Sequence, residues 1–371
     1  VKDPRRPVLA GRYHERGRVE QIAAQDNFLY TANGGGGLQI FDDKNPLNPT
    51  WVTGVDTDHP ADRILLNNNI AYLAQENGAV SLVDIKNPFA AYEIGELDLP
   101  AGASVMAAKG DIAYFAVPKL GIVIADVGTP RWPKEIARYI TPITDMCLHG
   151  DTLYVLTPSM LLQQLDVGDP RHPVLHRQDL LSDDSALLRI LEDALVIYEP
   201  QRGLMAFRNT GQGLQPVASY PFKGTITDMT VVDNRLYATV ENDGVYLFTL
   251  DKRDFQLQGH YPLVSRTTRI TAHKGTLYLA GESAITALTP LPELTLEQTR
   301  PDQTTVKFPP YTPLGSYNLA LTDADGNTSV AANALQVSMP RFSRPKITPE
   351  EFERLLKEER AKNQGHTPSA Q

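Results

Sequence analysis

The chain has 371 residues, of which 42% are hydrophobic and 21% are charged, and its formal net charge is −9. The apolar fraction excludes a wholly disordered chain, and the acidic balance argues against nucleic acid as a general partner, since phosphate contacts need an excess of Lys and Arg. No apolar run approaches the length of a membrane-spanning helix, and a single Cys excludes a disulfide framework or a thiolate zinc site.

Two positions recur along the chain. The first is an aromatic position at intervals of 40 to 42 residues, inside short β-rich runs that mostly follow a polar turn. It is occupied by Tyr30, Tyr72, Tyr114, Tyr154, Val196, Tyr237 and Tyr278. The second lies about twelve residues later and closes an apolar strand; it is occupied by Asp42, Asp84, Asp126, Asp166, Arg208, Thr249 and Thr289. In the early units a Pro-containing turn and one more strand follow, so each unit reads as four short strands.

Four strands in about 41 residues are typical of one blade of a β-propeller. Seven such units fill residues 17–291. Residues 1–16 match the Pro turn and last strand of a unit, whereas the seventh unit leaves the pattern after its third strand. We therefore predict an all-β, seven-bladed propeller over residues 1–291, with residues 1–16 completing the last blade. A solenoid is the competing architecture, but it would need capping repeats at both ends.

Residues 122–133 (IVIADVGTPRWP) and 162–173 (LQQLDVGDPRHP) resemble the LVIVD repeat of bacterial surface and secreted propellers. The similarity is good in the first four units and weaker in units five to seven, where the Asp and the Pro pair are lost. The resemblance implies a β-propeller in an extracytoplasmic setting: secreted, on the cell surface or periplasmic. It implies no shared catalytic residues.

The first strand of each unit is predicted to line the central channel. Positions eight and six residues before the aromatic position are apolar, as expected for packing between blades. The alternating positions mix small and charged or polar residues, including Gln21, Arg63, Asp145, Arg189, Asp228 and Arg269. These side chains are candidates for a ligand site at one channel mouth. The alternative is that they pair with each other, because buried charges are normally paired.

Motifs that would indicate an enzyme or a metal site are absent. The eight His are scattered, and His172 and His176 flank a Pro turn, which removes the helical spacing of a metal pair. The Gly run 34–37 sits where a hairpin turn is expected, and Cys147 lies in an inner strand as a small buried residue. We assign no catalytic, cofactor-binding or metal-binding residue.

The segment after the ring breaks the repeat and again shows short strands. Residues 309–337 resemble the second half of an IPT/TIG-type immunoglobulin-like module, so residues 292–340 are predicted to form a small Ig-like β module that packs on the propeller. The loop from Asp323 to Asp325 is better explained as a hairpin turn than as a calcium site, because it lacks the downstream Glu of an EF-hand.

Residues 341–371 are predicted to form a helix and a flexible tail. Thr348 is a suitable N-cap, followed by Pro349 at the first helical position. Phe352, Leu355 and Leu356 form a narrow apolar stripe, so the helix is expected to dock on the body or on a partner.

These features favour a non-enzymatic binding scaffold of the bacterial cell envelope or surface, with a protein or a surface polymer as partner and with no cofactor, nucleic acid or membrane span. One alternative is a propeller hydrolase or lyase. Another is a small-ligand or carbohydrate binder at the channel mouth, with Trp51 and Trp132 at blade rims as possible sugar platforms. The sequence does not indicate which ligand is bound or what the oligomeric state is.

Overall fold

The computed structural model describes residues 7–14, 18–45, 49–181, 186–210, 213–222, 224–251, 254–262, 267–281, 284–290, 295–300, 303–307, 315–322 and 328–337. The predicted C-terminal helix with Phe352, Leu355 and Leu356 lies outside the described residues, as does the loop from Asp323 to Asp325. Within them the chain forms seven four-stranded antiparallel sheets and two two-stranded hairpins. The seven sheets are the blades of a propeller, which confirms the predicted ring.

The strands of each blade follow one another in the chain, except that the N-terminal strand β1 (Pro7–His14) belongs to the last blade. Blade 1 holds β2 (Gln21–Gln25), β3 (Phe28–Ala32), β4 (Leu38–Asp42) and β5 (Thr50–Val55). Blade 2 holds β6 (Ala61–Asn67), β7 (Ile70–Gln75), β8 (Ala79–Asp84) and β9 (Tyr92–Asp98), with a 3-10 turn at Pro88–Ala90. Blade 3 holds β10 (Val105–Lys109), β11 (Ile112–Val117), β12 (Gly121–Asp126) and β13 (Lys134–Tyr139).

The next three blades keep the same order from the channel outward. Blade 4 holds β14 (Asp145–His149), β15 (Thr152–Leu156), β16 (Leu161–Asp166) and β17 (Val174–Leu180). Blade 5 holds β18 (Leu187–Leu191), β19 (Ala194–Glu199), β20 (Gly203–Thr210) and β21 (Gly213–Tyr220). Blade 6 holds β22 (Ile226–Val232), β23 (Arg235–Val240), β24 (Gly244–Asp251) and β25 (Asp254–Tyr261).

Blade 7 is assembled from both ends of the ring. It holds β26 (Thr267–His273), β27 (Thr276–Gly281) and β28 (Ala284–Pro290), and β1 pairs antiparallel with β28 as its outer strand. Val8 pairs with Thr289, and Tyr13 pairs with Ile285. This confirms the predicted closure, which removes the two open edges of a linear array.

Contacts between blade 7 and blade 1 reinforce the closure. The Tyr278 hydroxyl donates to Oδ2 of the buried Asp43, and Lys274 Nζ donates to Asn27 Oδ1 at 2.8 Å. Tyr278 is also one of the buried tyrosines of the recurring aromatic position. Since these contacts join side chains more than two hundred residues apart, the ring is held by side chains as well as by strand pairing.

The core consists of apolar layers between neighbouring blades. The layer between blades 3 and 4, for example, packs Tyr114 and Ile124 against Met146 and Leu153. Within the described residues, the apolar position eight residues before the aromatic one is buried in every blade except blade 3, where Met106 is half-buried. Packing between blades thus follows the predicted repeat.

The repeated Asp has a local structural role in blades 1 to 4. It ends the third strand, and its Oδ1 accepts the backbone N–H of the residue two positions further on, at 2.8 to 3.0 Å, in Asp42, Asp84, Asp126 and Asp166. This hydrogen bond from backbone to side chain, an Asx turn, takes the place of the next backbone hydrogen bond between the strands. The Pro-containing loop begins there.

Blades 5 and 6 show what happens without this Asp. Arg208 and Thr249 stand at the equivalent position, and the third strands continue past them to Thr210 and Asp251. There the pairs Thr210–Gly213 and Asp251–Asp254 close the hairpins. Where the Asx turn is missing, the third and fourth strands are therefore longer, and a short hairpin turn joins them instead of a long rim loop.

Two hairpins follow the ring in sequence. One pairs β29 (Thr295–Arg300) with β30 (Gln303–Lys307), and the other pairs β31 (Gly315–Thr322) with β32 (Thr328–Val337). The chain divides into two compact units, residues 1–307 and 308–371, so the hairpins fall in different units. The strands lie in the predicted segments, but two hairpins do not distinguish an immunoglobulin-like sandwich, and that assignment stays a prediction.

Candidate functional site in the central channel

The first strands of all seven blades surround a central channel. Its cavity has a volume of about 860 Å³. The six candidate channel residues lie in its wall: Gln21, Arg63, Asp145, Arg189, Asp228 and Arg269. The candidate channel residues predicted from sequence thus line the cavity, but its wall also includes residues predicted to pack between blades, such as Ile22 and Met146.

A repeated contact links the inner strands of blades 1, 4 and 6 to the next inner strand around the ring. The side-chain oxygens of Gln21, Asp145 and Asp228 accept the backbone N–H of Ile64, Leu188 and Ile270, respectively, at 2.8 to 3.1 Å. An inner strand is the edge of its blade, so its outward N–H groups need partners from outside the sheet. The polar residues at this position supply those partners and join the blades around the channel.

Arg189 is the centre of a charged triad that spans blades 4, 5 and 6. Its Nη1 lies 3.0 Å from Asp145 Oδ2, and its Nη2 lies 3.0 Å from Asp228 Oδ1. It also donates to the backbone carbonyls of Met229, from Nε, and of Leu188, from Nη1. In this sector the alternative expectation is met, because the charges pair with each other.

The two carboxylates of the triad are buried and Arg189 is half-buried, and the electrostatics of the triad follow from this burial. Burial opposes the charge of Arg189, but Asp145 and Asp228 outweigh it and raise the pKa of the guanidinium. Burial raises the pKa of Asp145, against the opposite effects of Arg189 and of the amides of Leu188 and Met146. The triad is thus tied to its surroundings by both charge and hydrogen bonds.

Cys147 belongs to the same wall and is half-buried rather than fully buried as predicted. Burial, assisted by the charge of Asp145, raises the pKa of its thiol to about 12. The thiol is therefore protonated at neutral pH and is a weak nucleophile.

On the other side of the channel the charges are arranged differently. Arg63 Nε donates to the carbonyl of Ser104 at 2.9 Å and Nη1 donates to the carbonyl of Asp62 at 2.8 Å. Its nearest carboxylate oxygen is Oδ2 of Asp62, 3.6 Å from Nη1. Burial and the charge of Arg269 lower the pKa of Arg63. Arg63 and Arg269 therefore form a sector with two cations, next to Gln21 on the strand between them.

A second group of candidate residues lies at the rim of the ring. Trp51 and Trp132 are 61% and 75% exposed, as predicted for rim positions. Sequence reasoning missed the other exposed apolar side chains on the loops and outer strands of blades 1 to 4, namely Phe89, Tyr92, Ile140, Val174, Leu175 and Leu180. The signal that could have found them is the loop before the fourth strand together with the fourth strand itself, since both recur with the period of the repeat.

The loops that carry the rim residues are fixed against the preceding blade. Phe89 of blade 2 packs edge-on against Phe28 of blade 1, with ring centroids 5.6 Å apart. A Cβ on Gly95 of blade 2 would lie 2.2 Å from the Pro130 carbonyl oxygen of blade 3, so only Gly permits this approach. Beside it, Trp132 borders a recess of about 600 Å³, whose wall includes Arg131 and Lys134.

The His residues and the acidic side chains of the described part of the chain do not form a metal site. No group of three or more His, Cys, Asp or Glu there is placed to hold a metal ion. His172 contacts Asp169 at 2.8 Å, and His176 lies on the neighbouring strand. Among the described residues, no helix is long and apolar enough to cross a bilayer.

Comparison with known proteins shows the repeat and the fold. The LVIVD repeat matches residues 16–57 and 102–141, which correspond to blades 1 and 3. No curated protein matches the chain.

Solved structures with the same fold share little sequence with it. A computationally designed protein, Ika8, has 11% identity and a TM-score of 0.54, covering 74% of this chain and 97% of its own. A chain of a mitotic checkpoint complex has 9% identity and a TM-score of 0.63, covering 79% and 96%. The Cps50 (Swd1) β-propeller domain of Myceliophteria thermophila has 13% identity and a TM-score of 0.60, covering 74% and 97%. At these identities the likeness concerns the fold alone.

Proposed function

We propose that this protein is a non-enzymatic binding scaffold of the bacterial cell envelope that holds a protein partner against the rim of blades 1 to 4. The LVIVD repeats and the propeller fold fit a binding role in general. The resemblance to surface and secreted propellers supports the extracytoplasmic location. The observation that carries the proposal is the arc of exposed apolar side chains at that rim.

The arc has the composition of an interface. Protein interfaces are enriched in Trp, Tyr, Phe and Arg, and a few aromatic residues in fixed positions supply most of the binding energy. Trp51, Phe89, Tyr92 and Trp132 all lie in this arc. Among the described residues of blades 5 and 6, only Leu257 is an exposed large apolar side chain.

The recess beside Trp132 indicates the chemistry of the partner. Trp132 lies in a turn in which its backbone N–H donates to the carbonyl of Thr129 at 2.8 Å. Its backbone is therefore ordered before binding. Arg131 and Lys134 flank the ring, whereas Glu96 is the acidic side chain of the recess. A partner with an apolar side chain flanked by carboxylates would complement this surface.

A pull-down from the envelope of the native host tests the proposal. Wild-type protein and Leu257→Ser, an exposed apolar residue outside the arc, should recover the same partner, and Trp132→Ser should lose it. Removal of residues 341–371 shows separately whether the predicted C-terminal helix takes part. Recovery of the same proteins with Trp132→Ser would contradict the proposal.

The carbohydrate alternative has its own outcome. Trp rings also stack on sugars, so Trp132-dependent retention of an envelope polysaccharide, with no protein recovered, would favour that alternative. A hydrolase or lyase would instead be indicated by turnover of a substrate that purified wild-type protein converts.

A further inference from the structure

The channel wall contains two sectors that satisfy arginine in different ways. In blades 4 to 6, each of the nitrogens of Arg189 donates to a protein acceptor, and two carboxylates neutralise its charge. In blades 7, 1 and 2, the inner strands place Arg269, Gln21 and Arg63 side by side around the ring. The first sector is complete within the protein, so a ligand would have to displace its own carboxylates there.

The second sector retains hydrogen-bond donors. Nη2 of Arg63 makes no hydrogen bond to any residue that the structure describes, since Nε and Nη1 make all of its contacts. Gln21 uses its Oε1 for the N–H of Ile64, and within the described chain its amide nitrogen has no acceptor. Both side chains line the cavity, so their remaining donors are available to a guest in the channel.

Charge favours an anion at this place. Arg63 is mostly buried, with 22% of its side chain exposed, and the nearby positive charge of Arg269 works against it. Among the residues that the structure describes, its only ion-pair partner is Asp62, at 3.6 Å. A guanidinium in a confined channel beside a second one is stabilised when a negative charge comes between them.

The same surroundings limit how much negative charge the guest can carry. Burial and Arg269 lower the pKa of Arg63, but the carboxylates of Asp62, Glu20 and Asp228 act in the opposite direction, so the sector is not strongly positive overall. A dianionic phosphate would meet more repulsion there than a monoanionic carboxylate. A carboxylate also matches a planar guanidinium and a planar amide, which donate in a plane.

We propose that the channel sector formed by Arg63, Gln21 and Arg269 binds a carboxylate group, with Arg63 Nη2 and the Gln21 amide as donors. The cavity of about 860 Å³ is within the usual size of small-molecule sites, so it holds either a free organic acid or an acidic side chain inserted by a partner. This site is separate from the rim and does not depend on the proposed rim function.

Isothermal titration at constant ionic strength tests the proposal with four probes. Propionate represents a free acid with a single carboxylate, and a blocked Gly-Glu-Gly peptide represents an acidic side chain. The blocked Gly-Gln-Gly peptide is the neutral match of the latter. Inorganic phosphate is the dianion, provided that the titrations are run at mildly alkaline pH, where it is mostly doubly charged. We expect saturable binding of one or both carboxylate probes, and the tighter of them identifies the source. The neutral peptide and phosphate should bind at least about tenfold more weakly, a difference of about 1.4 kcal/mol.

Two variants assign the site and one serves as the control. Gln21→Glu keeps the oxygen that accepts the Ile64 N–H but removes the amide donor, so the inner strand stays paired while carboxylate binding falls at least about tenfold, or 1.4 kcal/mol. Arg63→Gln should lower the affinity in the same way. Thr230→Val changes a channel residue of blade 6 and should bind as wild type does.

The result that would overturn the proposal is equally definite. Carboxylate probes that do not bind wild-type protein, or that bind Gln21→Glu and wild type equally, exclude the site. Equal binding of phosphate and carboxylate would exclude the proposed specificity. Because Gln21→Glu preserves the backbone contact, the test does not depend on whether Arg63→Gln folds.

Discussion

The inner and outer strands of the same blades differ in what their side chains do. In blade 4, β14 faces the channel and is buried or half-buried up to its last residue, whereas β17 at the rim is exposed at most positions. Inner-strand polar residues are bonded to the next blade, as Asp145 is to Leu188. Rim residues such as Trp132 contact solvent. Substitutions near the channel should therefore change stability, and substitutions at the rim should change binding.

The largest effect is expected at the centre of the triad. Arg189→Met would leave the buried carboxylates of Asp145 and Asp228 without their cation, which should cost about 3–5 kcal/mol of unfolding free energy at pH 7. Chemical denaturation measures this loss. The matched variant that also carries Asp145→Asn and Asp228→Asn should regain part of it, because no uncompensated charge remains, although each Asn accepts only one of the two backbone N–H groups that the Asp accepts.

The pH dependence of Arg189→Met has a defined sign. Burial already raises the pKa of Asp145, and loss of the cation raises it further. The folded variant then binds more protons than the unfolded chain between the ordinary carboxyl pKa and the raised one. Its unfolding free energy, relative to wild type, should rise as the pH falls through that window. A deficit that does not change with pH would show that lost packing, not charge, causes the destabilisation.

A smaller effect is expected where the rim loop of blade 3 meets blade 2. Gly95→Ala places a methyl group 2.2 Å from the Pro130 carbonyl oxygen, so the loop must shift. Overpacking of this kind costs about 1–3 kcal/mol. Denaturation should reveal that cost, and binding of the rim partner should weaken because Trp132 moves with the loop. Gly35→Ala is the control, because a methyl group there has no neighbour within 4 Å. Equal stability of the two variants would mean that this loop is not fixed against blade 2.

The repeated Asp should contribute about as much as a helix cap. Asp126→Ala removes the oxygen that accepts the Gly128 N–H, and loss of a comparable capping contact costs about 1 kcal/mol. Asp126→Asn keeps that oxygen and should unfold at nearly the same denaturant concentration as wild type. If Asn were as damaging as Ala, the carboxylate charge rather than the turn would be the reason for the Asp.

The smallest effect on stability is expected at the exposed rim. Trp132→Ser should change the unfolding free energy by no more than about 0.5 kcal/mol, since Trp132 is 75% exposed. A loss of partner binding without a loss of stability would sharpen the contrast between rim and channel. A large loss of stability would contradict the view that rim residues affect binding and channel residues affect stability.

The ring could be predicted from sequence because each blade buries the same positions. The spacing of Tyr30, Tyr72 and Tyr114 follows from one buried tyrosine per blade, and closure by residues 1–16 follows from the strand that the seventh unit lacks. The polar channel residues could also be predicted, because they lie on the first strand of each unit, although both faces of that strand contribute to the cavity wall.

What the sequence left open depends on how neighbouring blades are staggered. Arg189 lies two positions later in its repeat than Asp145 and Asp228 lie in theirs, yet the three meet because side chains reach across to the next blade. That offset is a property of the assembled ring. For the same reason, the repeat pattern did not distinguish Arg189, whose donors are all used, from Arg63, which retains one.

The seam between β1 and β28 has a consequence for how the ring forms. Val8 and Thr289 are partners, so synthesis must pass almost the whole propeller before this pairing exists. The entropic cost of closing so long a loop grows only with the logarithm of its length. The closure is therefore a late step of folding, but its cost in free energy is modest. Until it occurs, the outer edge of β28 is an open template. The β1 strand of a second copy has the same sequence, and its pairing there would convert two folding monomers into a domain-swapped dimer.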